Sequence, residues 1–92
     1  MNKDARFYFA NLGADVMRCI LASEAKDNQR YESSLSRARR TLNALRSARR
    51  PEAHEEGLLL LRAMEYAHAS GDMLKFRKNL NSMIMPLSEV LK

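Results

Sequence analysis

Ninety-two residues suffice for one domain with a real core but leave little stability to spare, so association of copies is a natural route to further burial. The net charge of +5 comes mainly from arginine, 11 of the 16 basic residues, a bias that bears on solubility and on adhesion to polyanions but not on fold. The single cysteine, Cys19, excludes an intramolecular disulfide and a cysteine-only metal site, and the early apolar run is too broken by Asn11, Gly13, Asp15 and Arg18 to span a membrane, which together point to a soluble, cytoplasmic protein.

The hydrophobic periodicity predicts a single all-α domain over residues 1–92, a compact up-down-up-down four-helix bundle with helices at about 4–26, 28–49, 52–69 and 72–91. Asn2 or Asp4 is placed to cap the first helix, whose main face carries Phe9, Leu12, Val16, Cys19 and Ile20. A second group, Ala10, Ala14, Met17 and Leu21, follows a quarter to a third of a turn further round. Two stripes imply two neighbours in a bundle, or one neighbour and a second subunit. Gly13 costs the helix roughly 1 kcal/mol relative to alanine and marks a place for close approach.

Lys26 to Gln29 form the first turn, with Asp27 or Asn28 as the next cap. The second helix carries the seam on which the fold is organised: Tyr31, Leu35, Ala38, Leu42 and Leu45 recur at alternating steps of four and three, a narrow stripe that only other helices can bury. It is expected to stop near Arg49, because Pro51 disfavours helical geometry at Arg50 while suiting the first position of the third helix. Glu52, Glu55 and Glu56 then complement that helix's positive end. Leu60, Met64 and Ala67 form its inner face, and Leu58, Leu59 and Leu61 point round the other sides. One or two of these leucines need cover from elsewhere.

Ser70, Gly71 and Asp72 end the third helix and start the fourth, which carries Met73, Phe76, Leu80, Met83, Leu87 and Val90 and is expected to kink or break near Pro86. A shift of 45 residues superposes Asp27 on Asp72, Tyr31 on Phe76, Leu35 on Leu80, Leu42 on Leu87 and Leu45 on Val90. The first and third helices match poorly in residue type under the same shift. The periodicity therefore supports a bundle of two helix pairs and nothing more.

In that topology Lys26, Arg30, Lys75, Arg77 and Lys78 gather at one end, and Arg39, Arg46 and Arg50 follow one flank of the second helix. The plain reading of both groups is a solvated surface with arginine stems over the core rim. No aromatic residue is interleaved with them and no groove-reading motif appears, so any nucleic-acid binding would run through backbone contacts, with steep salt dependence.

Catalytic groups are sparse. Cys19 faces the core and reads as a small buried hydrophobe, while His54 reads as a surface residue and His68 as a boundary residue bonded to a turn. Two heptads separate these histidines, too far along the helix to share a metal. The Arg62-to-His68 and Arg49-to-His54 intervals match the loose arginine-to-histidine spacing of small helical RNases of the HEPN type. The match is unspecific in so arginine-rich a chain, and the polar residue expected after the arginine is missing at Arg62. No enzymatic role, catalytic residue, metal or cofactor is therefore expected.

Two functional expectations follow. The first is a protein-interaction module, adaptor-like or chaperone-like, that holds a second copy of itself as a homodimer or another helical protein through Met17, Leu21, Leu58 and Leu59. The second is weak binding of nucleic acid or another polyanion through Arg30, Arg39, Arg46, Arg50, Lys75 and Lys78.

Overall fold

The computed structural model describes residues 4–80, and these form an all-α bundle with no strand among them. Helix α1 runs Ala5–Glu24, α2 Asn28–Arg46 and α3 Pro51–Ser70, and residues 73–80 begin α4. The remainder of the expected fourth helix, with its expected kink or break near Pro86, lies outside the described residues.

Each start follows local chemistry. The Asp4 carboxylate accepts from the Phe7 N–H at 2.9 Å and that of Asp27 from the Arg30 N–H at 3.0 Å, so each aspartate satisfies an amide that the helix leaves without a partner. Pro51 supplies the first residue of α3, and Arg50 before it is extended at φ −125°. Gly71 ends α3 in the left-handed conformation at φ 80°.

Helix α2 stops at Arg46, one turn short of the expected Arg49. Ser47 and Ala48 donate to the carbonyls three residues back, Ala44 and Leu45, which tightens the last turn, and Arg49 then takes a φ of 60°. The chain must already be leaving the helix to reach the extended geometry that Pro51 imposes on Arg50.

Long-range pairs give the topology. Asp15 meets Thr41 and Leu12 approaches Leu45 beside Gly57, so α1 and α2 are antiparallel. Arg39 meets Glu65 and Tyr31 meets His68, so α2 and α3 are antiparallel as well. Ser23 meets His68 and Leu12 lies against Gly57, so α1 and α3 run the same way. Arg77 reaches back to Glu24, which fixes the start of α4 at the end where α1 finishes and α2 begins.

Tyr31, Leu35, Ala38, Leu42 and Leu45 are all buried, packed with Phe9, Leu12, Val16, Cys19 and Ile20 of α1 and with Leu60, Leu61, Met64 and Ala67 of α3. Met73, Phe76 and Leu80 close the described core. The three helices approach closely at Gly57, where an added Cβ would sit 2.9 Å from Leu12 Cδ2, 3.1 Å from Leu45 Cδ2 and 3.2 Å from Leu42 Cδ1. The sequence directed attention to Gly13 instead, which is half-buried.

The 45-residue shift reaches further into the structure than into the sequence. Ser23 and His68 are 45 apart and touch, as are Leu12 and Gly57. Asp27 and Asp72 both donate to the carbonyl five residues back, Ala22 and Ala67, at 2.9 Å. Buried positions 12, 15, 16, 19 and 22 of α1 correspond to buried 57, 60, 61, 64 and 67 of α3. Helices α1 and α3 thus occupy equivalent places about an approximate twofold along the bundle, although their residue types differ.

Candidate functional site

The second stripe of α1 is a surface. Ala10, Ala14 and Leu21 are exposed, with 48% of Leu21 accessible, and Met17 is half-buried. At ~100° per residue the stripe is centred more than a third of a turn from the core face, further round than a quarter-turn reading allows. Phe7, 43% exposed and edge-on to Tyr8 at 5.4 Å, extends it by one step. Positions 7, 10, 14, 17 and 21 form a heptad-spaced line on the outside of the bundle.

The four residues expected to hold a partner, Met17, Leu21, Leu58 and Leu59, lie on different sides of the bundle. Met17 and Leu21 belong to the outer side of α1, while Leu59, 53% exposed, lies on the outer side of α3 with Tyr66. Leu12 and Gly57 face each other, so the sides opposite them point away from one another. Leu58 is half-buried and turns towards Arg46 and Arg49, and Leu61, the third leucine in search of cover, is buried.

The basic residues divide by partner. Arg39 is paired with Glu65 at 2.8 Å, Arg50 with Glu52, and Arg77 with Glu24 at 2.8 Å. Hydrogen bonding to Arg50 holds the Glu52 carboxyl below its ordinary range. Two of the three flank arginines are thus engaged with carboxylates, and Arg46 is exposed without an ion pair among the described residues. Arg30, Lys75 and Lys78 are exposed at the end where α2 and α4 start.

Inside the bundle, Asp15 is the buried charged residue. Thr41 Oγ1 donates to its Oδ2 at 2.7 Å and Arg18 Nη1 to its Oδ1 at 2.9 Å, so both carboxylate oxygens are satisfied. Sequence reading treated Asp15 only as a break in an apolar run. Its three-residue step from Leu12, on the core side, was the available signal.

Cys19 is buried, and burial followed by the Asp15 carboxylate pushes its thiol up to about 11. At neutral pH it stays protonated and packs as a hydrophobe. His68 stacks on Tyr31, with ring centroids 3.6 Å apart, and shares a 2.7 Å hydrogen bond between its Nδ1 and Ser23 Oγ. Tyr31 in turn donates to Met64 Sδ at 3.6 Å. These contacts tie the last turns of α1 and α3 to the first turn of α2. His68 is a boundary residue as expected, but its partner is a side chain of α1.

Arg62 and His68 are not brought together: six helical residues leave them about a third of a turn apart, with Arg62 exposed. Arg49 and His54, in contrast, line one cleft at the α2–α3 corner. Among the described residues no cluster of three or more histidine, cysteine, aspartate or glutamate side chains could hold a metal ion, and no helix is long and apolar enough to cross a membrane. Comparison with family models, with curated proteins and with solved structures finds no match for this chain.

Proposed function

We propose that the protein is a helical interaction module whose contact surface is the outer side of α1, and that its first partner is a second copy of this chain. One observation carries the reading: Ala10, Ala14, Met17 and Leu21 repeat at steps of four and three on the side of α1 that the bundle leaves accessible. A helix needs no apolar line there to fold. Alanines at the middle of the line admit close helix approach, and the larger side chains towards its ends give an antiparallel copy something to cover. Centring that pairing on Ala14 sets Ala14 of one copy against Ala14 of the other. The arrangement is isologous, so it closes as a dimer.

Sedimentation and light scattering over a concentration series test this. The expected result is reversible dimerisation, weakened at least about tenfold by Leu21→Glu and unaffected by Tyr66→Glu on the opposite side. Oxidation of an Ala14→Cys variant is expected to yield a disulfide-linked dimer, whereas Ala69→Cys stays monomeric. A monomeric mass at every concentration, with no Ala14→Cys crosslink, would sink the reading.

The expectation of polyanion binding narrows, because Arg39 and Arg50 are held by carboxylates. What supports it is the accessible basic end, Arg30, Lys75 and Lys78, together with Arg46.

A further inference from the structure

The α2–α3 corner contains an open cleft of about 420 Å³ lined by Arg46, Arg49, Pro51, His54, Glu55 and Leu58. We infer that it binds a small organic phosphate, with the phosphomonoester on Arg46, Arg49 and His54 and the body of the ligand on Pro51 and Leu58.

Five arginines are matched to acids, Arg6 to Asp4, Arg18 to Asp15, Arg39 to Glu65, Arg50 to Glu52 and Arg77 to Glu24, while Arg30, Arg37, Arg40 and Arg62 are exposed without an ion pair among the described residues, so what marks the cleft is the convergence of its basic groups. Arg46, Arg49 and His54 have no hydrogen bond or ion pair through their side chains among the described residues, yet all three line the same cavity. Two guanidinium groups match the double charge of a phosphomonoester and can fork onto its oxygens, which a carboxylate with half the charge uses less fully.

The backbone explains the convergence. Arg46 occupies the last turn of α2, and the left-handed residue Arg49 turns the chain before Pro51 opens α3. His54 and Leu58 are four residues apart on α3 and so share a face. The first turn of α3 lies beside them, its dipole adding to the attraction for an anion.

The lining is not purely basic, and this selects among anions. Pro51 and Leu58 offer apolar surface that inorganic phosphate cannot use, and the Glu55 carboxylate can accept a hydrogen bond from a ligand hydroxyl or amine. The cavity volume falls within the range of small-ligand pockets. Free nucleotides and the 5′ ends of nucleic acids both present this chemistry.

Amide and arginine side-chain shifts in a nitrogen-15 NMR titration test the site, using inorganic phosphate, adenosine monophosphate, adenosine, and a hexanucleotide with and without a 5′-phosphate. Adenosine monophosphate is expected to bind at least about fivefold more tightly than phosphate, with adenosine showing no saturable shift, and the largest changes at Arg46, Arg49 and His54. A preference of the hexanucleotide for its 5′-phosphorylated form would identify nucleic-acid ends as a second source of the same group. Arg49→Gln and Arg46→Gln are each expected to weaken binding at least about tenfold. Arg37→Gln, which removes an exposed arginine elsewhere on α2, is expected to change nothing. Equal weakening by Arg37→Gln, unchanged affinity in the two cleft variants, or no saturation by adenosine monophosphate at low salt would overturn the inference.

Discussion

A shift of 45 residues carries Ala10, Ala14, Met17 and Leu21 of α1 onto Glu55, Leu59, Arg62 and Tyr66 of α3, and all of these are exposed except Met17, which is half-buried against the edge of the core. Helix α3 presents two charges and a tyrosine among them, the composition of an ordinary solvated face. Helix α1 presents no charge along the same line. Equivalent places in the bundle therefore tolerate either chemistry, and packing of the core accounts for Met17 but not for Ala10, Ala14 and Leu21. The interior repeats the contrast: Leu12 stands opposite Gly57, Asp15 corresponds to Leu60, and Cys19 to Met64, all buried. Each pair divides one structural role between different side chains. Substitution can show whether the roles are shared or merely superposable.

The largest expected effect is at Leu12 and Gly57. Leu12→Ala is expected to destabilise by roughly 3 kcal/mol, through lost burial and the cavity left behind. Gly57→Ala alone is expected to cost about 1 kcal/mol, since its methyl group would come within 2.9 Å of Leu12 Cδ2 and this overlap outweighs the alanine preference of a helix. With Leu12 already shortened the closest overlap is gone and only the 3.1 and 3.2 Å approaches of Leu45 and Leu42 remain, so Gly57→Ala should cost less in that background than alone. Urea unfolding of the four proteins measures this. Additive effects would mean that the two positions do not share space.

How much of this was legible follows from the same residues. The heptad seam of α2 and its aspartate cap are visible in the sequence because local spacing and local hydrogen bonding determine them. The role of Gly57 was hidden: a glycine inside a helix reads as a cost, and only the approach of leucines from two other helices gives it a function. Position 49 misled as a helix end because its left-handed turn uses arginine in place of glycine or asparagine. Met17 and Leu21 of the outer stripe of α1 were legible as surface for a partner, but their separation from Leu58 and Leu59 was not, since spacing alone does not say where the neighbouring helices stand. Arg46, Arg49 and His54 are distributed over a helix end, a turn and the next helix; the Arg49-to-His54 interval stands out in the sequence, but nothing there adds Arg46 or shows the cleft. Nor did Arg39 and Arg50 show in sequence which carboxylates would hold them, because a partner such as Glu65 is brought near only by folding.

The comparison of Cys19 with Met64 is sharpened by alkali. Burial, then the Asp15 carboxylate, raises the Cys19 thiol from 9.0 to about 11, and burial, then Cys19, raises the Tyr31 hydroxyl from 10.0 to about 12. Both shifts favour the protonated form in the folded protein. The unfolded chain therefore releases these protons first, so stability is complete below pH 9 and declines as pH rises, from about 9 to 11 through Cys19 and from about 10 to 12 through Tyr31. Methionine has no proton to lose, so the earlier limb belongs to one half of the bundle alone. Cys19→Ala is expected to remove that limb, worth up to about 2 kcal/mol near pH 11, and to leave a smaller Tyr31 limb sustained by burial. Urea midpoints at pH 8, 9.5 and 10.5 check it, and equal slopes in both proteins would refute the assignment.

The smallest effect tests the most unequal pair, Asp15 and Leu60. Removing one partner of a buried carboxylate and replacing the carboxylate itself are different operations. Thr41→Val withdraws the 2.7 Å hydrogen bond and leaves one carboxylate oxygen of Asp15 without its donor, so a loss of about 1–2 kcal/mol is expected. Asp15→Leu removes the charge and its desolvation together, and places in α1 the residue that α3 already carries at the equivalent site. Its stability is expected to stay within about 1 kcal/mol of the parent, because a packed hydrophobe commonly offsets the loss of a buried ionic group. In that background Thr41→Val should cost little, since no carboxylate remains to be stranded. The Arg18 side chain, 52% exposed, is then freed to solvent. Thermal unfolding of the two single variants and the double variant separates the cases. A large penalty for Asp15→Leu that survives Thr41→Val would show that the Asp15 site cannot accept the side chain found at Leu60, and that the two helices are equivalent in position but not in the space around them.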